Sequence, residues 1–227
     1  IDVNNACDYE EMTLKQTAEH TRAYIKIQDG CNQFCSYCII PYTRGRVRSR
    51  KSQDVYEEVK RLADAGYHEV VLTGIHLSSY GVDLEDENLL TLIEKIHEVE
   101  GIERIRLGSL EPRIMSEEFV EAIAKLPKLC PHFHLSLQSC CNDTLKAMNR
   151  NYSIDKIQKI VENINTKFSL AYIGCDIIAG FAGETQQDFE ITRKNLEMLD
   201  ITKIHVFPYS RRKGTLAYTL PNQIKDE

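Results

Sequence analysis

Two hydrophobic rhythms alternate along this chain, and that alternation constrains its fold more than any other feature. Short runs rich in β-branched residues read as strands at residues 23–27, 69–73, 104–107, 134–137, 172–179 and 203–207. Between them, apolar residues fall at helical spacing. The sets are Val55, Val59, Leu62 and Ala63; Leu89, Leu92, Ile93 and Ile96; Phe119, Val120 and Ile123; Ile154, Ile157, Ile160, Val161 and Ile164; and Phe189, Leu196 and Leu199. The punctuation agrees. Ser52 and Gly66 bracket the first helix, Gly101 ends the second, and Ser116 caps the third with Glu117 and Glu118 on its N-terminal dipole. Thr185 to Asp188 has the form of a capping box. Strand followed by helix argues for a parallel sheet. Six such units are too few for an eightfold barrel, so the expected α/β fold is a partial (β/α)6 barrel, curved and partly open. In parallel barrels the chemistry lies at the C-terminal ends of the strands.

One such end carries Cys31, Cys35 and Cys38, spaced Cys-x3-Cys-x2-Cys, with Tyr37 before the last. Thiolates are the standard ligands of iron–sulfur clusters. Three of them on a four-iron cubane leave one iron open to a ligand that is not protein. A zinc site would want a fourth protein ligand, and the nearest later histidines, His68 and His76, stand in no paired motif. A disulfide framework does not suit 8 Cys in 227 residues with no signal-peptide pattern. Cys7, Cys130, Cys140, Cys141 and Cys175 lack ligand spacing and read as reduced thiols packed as small hydrophobes. At 42% hydrophobic and 27% charged, the chain can bury one large core. No apolar run approaches the roughly 18 residues of a membrane span. A net charge of −6 argues against the domain as a whole being a nucleic-acid-binding surface. A cytoplasmic, monomeric protein with no membrane partner is expected.

The cysteine spacing resembles the radical S-adenosylmethionine (SAM) signature. Residues from about 21 to 220 resemble the central domain of the radical SAM methylthiotransferases. The segments that carry the resemblance are residues 27–31 (Ile-Gln-Asp-Gly-Cys), 38–45 (Cys-Ile-Ile-Pro-Tyr-Thr-Arg-Gly), 72–76 (Leu-Thr-Gly-Ile-His) with Tyr80-Gly81, 135–139 (Leu-Ser-Leu-Gln-Ser), 148–152 (Met-Asn-Arg-Asn-Tyr) and 180–185 (Gly-Phe-Ala-Gly-Glu-Thr). The runs at 44–50 and 206–215 resemble the branch acting on N6-threonylcarbamoyladenosine in tRNA. Sister branches act on isopentenyladenosine in tRNA and on a ribosomal protein. Two positions depart from the family pattern: Cys140 stands where Gly is usual, and Ala182 where Pro is common. If the backbone at residue 140 needs a positive φ, a cysteine there carries strain.

The resemblance implies a radical SAM barrel, a [4Fe-4S] cluster on Cys31, Cys35 and Cys38, and S-adenosylmethionine on its open iron. One S-adenosylmethionine would donate a methyl group that ends on sulfur; a second would be reduced to a deoxyadenosyl radical, and hydrogen at C2 of the adenine would be replaced by a methylthio group. The implied partners are tRNA and an electron donor such as flavodoxin or ferredoxin. In the cofactor pocket, Tyr37 is expected beside the adenine and Gly74 where the methionine part approaches backbone. Ser109, Glu111, Ser136, Gln138 and Arg150 are expected as polar partners, with Gly180 and Glu184 after the fifth strand. His76 and His134 read as packing or hydrogen-bonding residues. The resemblance also implies further domains: residues 1–22 a tail from an N-terminal domain holding a second cluster, 23–215 the radical SAM core, and 216–227 the start of a linker to an RNA-binding β-domain. Such an excised core is not expected to be active alone.

Arg44, Arg46, Arg48, Arg50 and Lys51 place five cations in eight residues. Alternate residues of an extended segment point one way, so Arg44, Arg46, Arg48 and Arg50 would form one cationic edge suited to tRNA phosphates. A solvated or ion-paired loop is the ordinary explanation of such a run. Three other functions stay open at this point: a methylthiotransferase of a sister branch, a different radical SAM enzyme such as a coproporphyrinogen-type oxidase, and a metal-binding module without catalysis.

Overall fold

The computed structural model describes residues 21–224 and Tyr9. The expectation for residues 1–22 therefore lies largely outside the described residues, as does Cys7. The strands in chain order are β1 (Ala23–Asp29), β2 (Arg48–Ser49), β3 (Glu69–Gly74), β4 (Arg104–Leu107), β5 (His132–Gln138), β6 (Tyr172–Ala179) and β7 (Lys203–Pro208). The helices are α1 (Ile40–Thr43), α2 (Ser52–Asp64), α3 (Leu89–His97), α4 (Glu117–Ile123), α5 (Asn142–Ala147), α6 (Ile154–Lys167) and α7 (Gln186–Met198). All six expected strands are present and run parallel to their sequential neighbours, in sheets ordered β2-β1-β3-β4 and β5-β6-β7. Bridges at Ile105–Leu129 and Leu110–Leu135 join the two sheets side by side. The result is a curved, mostly parallel wall with helices outside, ending at β2 on one side and β7 on the other. β2 is antiparallel to β1 and covers one edge.

The alternation of β5 shows why the wall has two different faces. Phe133, Leu135 and Leu137 point outward and are fully buried among apolar residues of the surrounding helices, including Ile157, Ile160, Val161 and Ile164 of α6. His132, His134, Ser136 and Gln138 point to the concave face and are only half-buried. The hydrophobic effect therefore fixes the register, and a slip of one residue would exchange the two sets. Local signals set the helix starts as read from sequence: Ser116 Oγ accepts from the Phe119 N–H at 3.2 Å, and Thr185 and Asp188 form a capping box. No described helix is long and apolar enough to cross a membrane.

Candidate cofactor site

The loop after β1 is shaped by a close approach. Gly30 has φ +71°, and a Cβ there would lie 1.8 Å from the Arg46 carbonyl oxygen. Only glycine lets the segment at residues 45–46 cross so near, and the Cys31 N–H donates to the Gly45 carbonyl at 3.1 Å. Farther along, the loop is tied to the end of α5. The Ser36 N–H and Oγ donate to the carbonyls of Met148 (3.0 Å) and Ala147 (2.8 Å), and Asn149 Nδ2 donates to the Phe34 carbonyl at 2.9 Å. The Met148–Asn149–Arg150 motif thus supports the cysteine loop from behind.

Cys31, Cys35 and Cys38 line one cavity of about 220 Å³ at the C-terminal ends of the strands. Tyr37, Gly74, Ser109, Glu111, Ser136, Gln138 and Arg150 line it too, so seven of the nine expected cofactor-pocket residues converge there with the thiols. Gly180 and Glu184 do not. They close a turn on themselves, the Gly180 N–H donating to Glu184 Oε2 at 2.6 Å, and Glu184 lines a different pocket beside α7. Gly74 has another reason to be small than the one read from sequence: a Cβ there would meet Gln28 Oε1 at 2.9 Å. Cys140 needs no strained backbone either. The positive φ of that loop falls on Gln138, at +67°, while Cys140 is fully buried in the core. Ala182 is buried beside Phe181.

Arg150 is the hub. Its Nη1 lies 3.2 Å from Cys35 Sγ, its Nη2 donates to the Ser136 carbonyl at 2.8 Å, and its Nε donates to Tyr152 Oη at 2.8 Å. Burial pushes the Cys31 and Cys38 thiols up, so a metal bound there must displace their protons.

Three further residues matter here: Gln28 and His76 stand in motifs quoted above, His76 read as a packing or hydrogen-bonding residue, whereas Arg113 stands in none. Gln28, fully buried, donates from Nε2 to the carbonyls of Asp29 and Gly30 and accepts the His76 N–H at 2.7 Å, tying the ends of β1 and β3 together. Arg113 bridges Glu111 Oε1 (2.9 Å) and Gln33 Oε1 (2.7 Å). His76 pairs through Nδ1 with Ser79 Oγ at 2.6 Å and lines the cavity, while its buried Nε2 has no partner among the described residues. Burial, with the charges of Arg150 and Arg113, pushes the His76 pKa down to about 4, so the ring is neutral at pH 7. Three convergent thiols, a guanidinium on one of them and an orphaned polar atom in the wall fit an iron–sulfur cluster carrying a polar cofactor.

The model of the Radical SAM superfamily matches residues 25–196. The chain belongs to this superfamily. Solved structures agree at the level of the fold. A radical S-adenosylmethionine methyltransferase, TsrM, from Kitasatospora setae superposes with a TM-score of 0.68 at 18% identity, over 82% of this chain and 36% of that one. Coproporphyrinogen III oxidase (HemN) from Escherichia coli gives 0.61 at 15%, over 92% and 49%. Curated relatives are far closer in sequence. A tRNA-2-methylthio-N(6)-dimethylallyladenosine synthase of Thermoanaerobacter pseudethanolicus is 42% identical over 96% of this chain and 46% of its own length. The threonylcarbamoyladenosine tRNA methylthiotransferase MtaB of Aquifex aeolicus is 43% identical over 92% and 52%. The chain thus spans about half the length of the curated relatives it matches. The superfamily implies a [4Fe-4S] cluster and S-adenosylmethionine.

The arginine run is the main correction. Arg50 points inward and is buried, its Nη1 2.5 Å from Glu58 Oε2. Arg48 turns back onto Asp29 (3.7 Å) and the carbonyls of Arg44 and Arg46. Arg44 also pairs with Asp29, at 3.4 Å, and Arg46 is exposed with its guanidinium 4.7 Å from the Phe34 ring centroid. Only two residues of the run are strand, so the alternation that would align four arginines does not develop. No single cationic edge forms.

Proposed function

We propose that this chain is the radical SAM core of a tRNA methylthiotransferase, acting at C2 of an adenosine already substituted at N6. The single observation that carries this reading is the convergence of the cysteine loop with residues 148–152 on one cavity: both segments belong to the methylthiotransferase pattern, and Arg150 joins them at Cys35. The relatives support it, since they are tRNA methylthiotransferases named for threonylcarbamoyladenosine and for dimethylallyladenosine. Between these, the runs at 44–50 and 206–215 favour threonylcarbamoyladenosine. In the proposed whole protein, an N-terminal domain adds a second cluster, a β-domain follows, and a flavodoxin or ferredoxin delivers electrons in the cytoplasm.

When bound, the cluster and S-adenosylmethionine supply one-electron chemistry able to activate an unreactive C–H bond. The residues of the chain hold and orient. Cys31, Cys35 and Cys38 are the cluster ligands, and Arg150 offsets their charge. Ser136, Gln138 and Glu111 offer partners for ribose hydroxyls and an amino group, and neutral His76, its Nδ1 engaged by Ser79, offers Nε2 as a donor to a carboxylate. Tyr37, packed edge-on to Phe181 at 6.3 Å, walls the cavity against water. Mass spectrometry of tRNA nucleosides from a deletion strain tests the reading. Loss of 2-methylthio-N6-threonylcarbamoyladenosine, with its unmethylthiolated precursor accumulating, is expected. An unchanged nucleoside profile overturns the reading, and loss of the dimethylallyl form instead reassigns the branch.

A further inference from the structure

A second pocket, of about 230 Å³, opens next to the cofactor cavity and shares two of its walls, Tyr37 and Gln138. Its remaining lining includes Asp176, Phe207, Tyr209 and Arg212. Phe207 is 51% exposed, so an aromatic face stands open on the concave side of the wall. Tyr209 carries a buried hydroxyl with no partner among the described residues. Unstacked RNA bases are bound in this way, by aromatic faces with polar groups at the base edge.

The polar group here is unusually well held. Asp176 registers with His205 on β7, and His134 with Gly174 on β6, so three adjacent strands bring Asp176, His134 and His205 onto one face. His134 Nε2 lies 2.9 Å from Asp176 Oδ1, and His205 Nδ1 lies 3.6 Å from the same oxygen. Gly174 makes the first contact possible, because a Cβ there would lie 2.9 Å from His134 Nδ1. Both imidazoles meet Oδ1, and Oδ2 has no partner among the described residues. The three ligand atoms lie within 4.8 Å of one another, close enough that a metal ion is the rival occupant and is made an outcome of the test below. The geometry is that of a carboxylate oriented by two rings with one oxygen left over for a ligand N–H.

We infer that Asp176 is the base-reading positioning residue of this pocket: its free oxygen accepts the single N–H that an N6-substituted adenine retains, and this seats the base against Tyr37, beside the cofactor cavity. The inference rests on the proposed tRNA substrate. It also explains how one pocket serves relatives named for two different N6 substituents, since the feature read is the N–H that both keep.

The test is binding by the full-length, anaerobically reconstituted protein. The probes are anticodon stem-loop RNAs carrying N6-dimethylallyladenine, N6-threonylcarbamoyladenine or N6,N6-dimethyladenine, the last with no N–H at N6. The wild type is expected to bind the two monosubstituted RNAs about ten- to a hundredfold more tightly, the range of a hydrogen bond to a charged group. Asp176→Asn, which retains an acceptor but loses the charge, is expected to cut that preference to about threefold or less. Gly174→Ala, which crowds His134 without touching Asp176, is expected to reduce it as well, with melting curves showing both variants folded. Wild-type protein that binds all three RNAs alike overturns the inference, as does an Asp176→Asn variant that keeps the full preference. A non-iron metal ion retained stoichiometrically by the wild type and lost in Asp176→Asn overturns it in favour of a metal site. Failure of the wild type to bind any of the RNAs strikes the proposed function itself.

Discussion

Replacing Arg50 with Ala is expected to unfold this protein far more readily, although Arg50 sits in a run that looks like an RNA-binding surface. The Arg50 and Glu58 side chains are 6% and 2% exposed and lie 2.5 Å apart. Arg50 follows β2 and Glu58 is on α2, so the pair fastens that helix to the β1–β2 edge. Its surroundings are closed: the Arg50 N–H donates to the Ile27 carbonyl at 2.9 Å, and the Arg50 carbonyl accepts from Tyr80 Oη at 2.7 Å. Truncation leaves the Glu58 carboxylate buried without its cation, which costs about 3–5 kcal/mol. For a domain of this size each kcal/mol moves Tm by about 2–4 °C, so Arg50→Ala should lower Tm by about 6–20 °C. Arg46→Ala, four residues earlier and exposed, should move it by about 2 °C or less. The double variant Arg50→Met with Glu58→Leu should recover most of the loss, because replacing both partners of a buried pair leaves no charge stranded. Thermal melts followed by circular dichroism under reducing conditions read all three. An Arg50→Ala Tm within about 2 °C of wild type, or an Arg46→Ala drop of equal size, would refute the reasoning.

Burial pushes the Cys140 and Cys175 thiols up to about 12, so both stay protonated at pH 8. Mass mapping after iodoacetamide treatment of the native chain should find them unmodified, and rapid labelling would mean that the core opens there. His76, its pKa depressed to about 4 by burial and two arginines, resists protonation in the folded state, whereas unfolded histidine titrates near 6.5. The unfolded chain therefore binds more protons between those values, and its share of the stability should be full above about pH 6.5 and fall as pH drops toward 4. Urea titrations of the cluster-free chain should show a shallower acid loss for His76→Gln than for wild type; identical slopes would contradict the burial of this ring.

The sequence made the fold legible because each strand and helix has its own period. Where it misled, the decisive partner was distant. Asp29 and Glu58 capture Arg44, Arg48 and Arg50, and nothing in an eight-residue basic run reveals carboxylates 15 residues before it or on the next helix. β2 and α5 escaped notice because 2 and 6 residues are too short to display a period. The cofactor residues at the ends of β1, β3, β4 and β5 converge because parallel strands bring their C-terminal loops together. Gly180 and Glu184 occupy an equivalent position, yet their mutual hydrogen bond folds the loop away from the cavity. His134 read as a packing or hydrogen-bonding residue, and its polar partner was hidden because it depends on register, which sets the ring beside Asp176 and over Gly174.

The central claim is that one loop of three cysteines builds one redox site that acts on S-adenosylmethionine. Anaerobic reconstitution with iron and sulfide, followed by reductant and S-adenosylmethionine, tests it most directly through the 5′-deoxyadenosine released. Wild-type chain should bind about four irons, as a single cubane requires, and release deoxyadenosine. Cys35→Ala should do neither while keeping its circular dichroism spectrum, since the loop lies at the rim of the wall, outside the core. Wild-type chain that takes up zinc instead and releases no deoxyadenosine, or a Cys35→Ala variant that still releases it, would contradict the account.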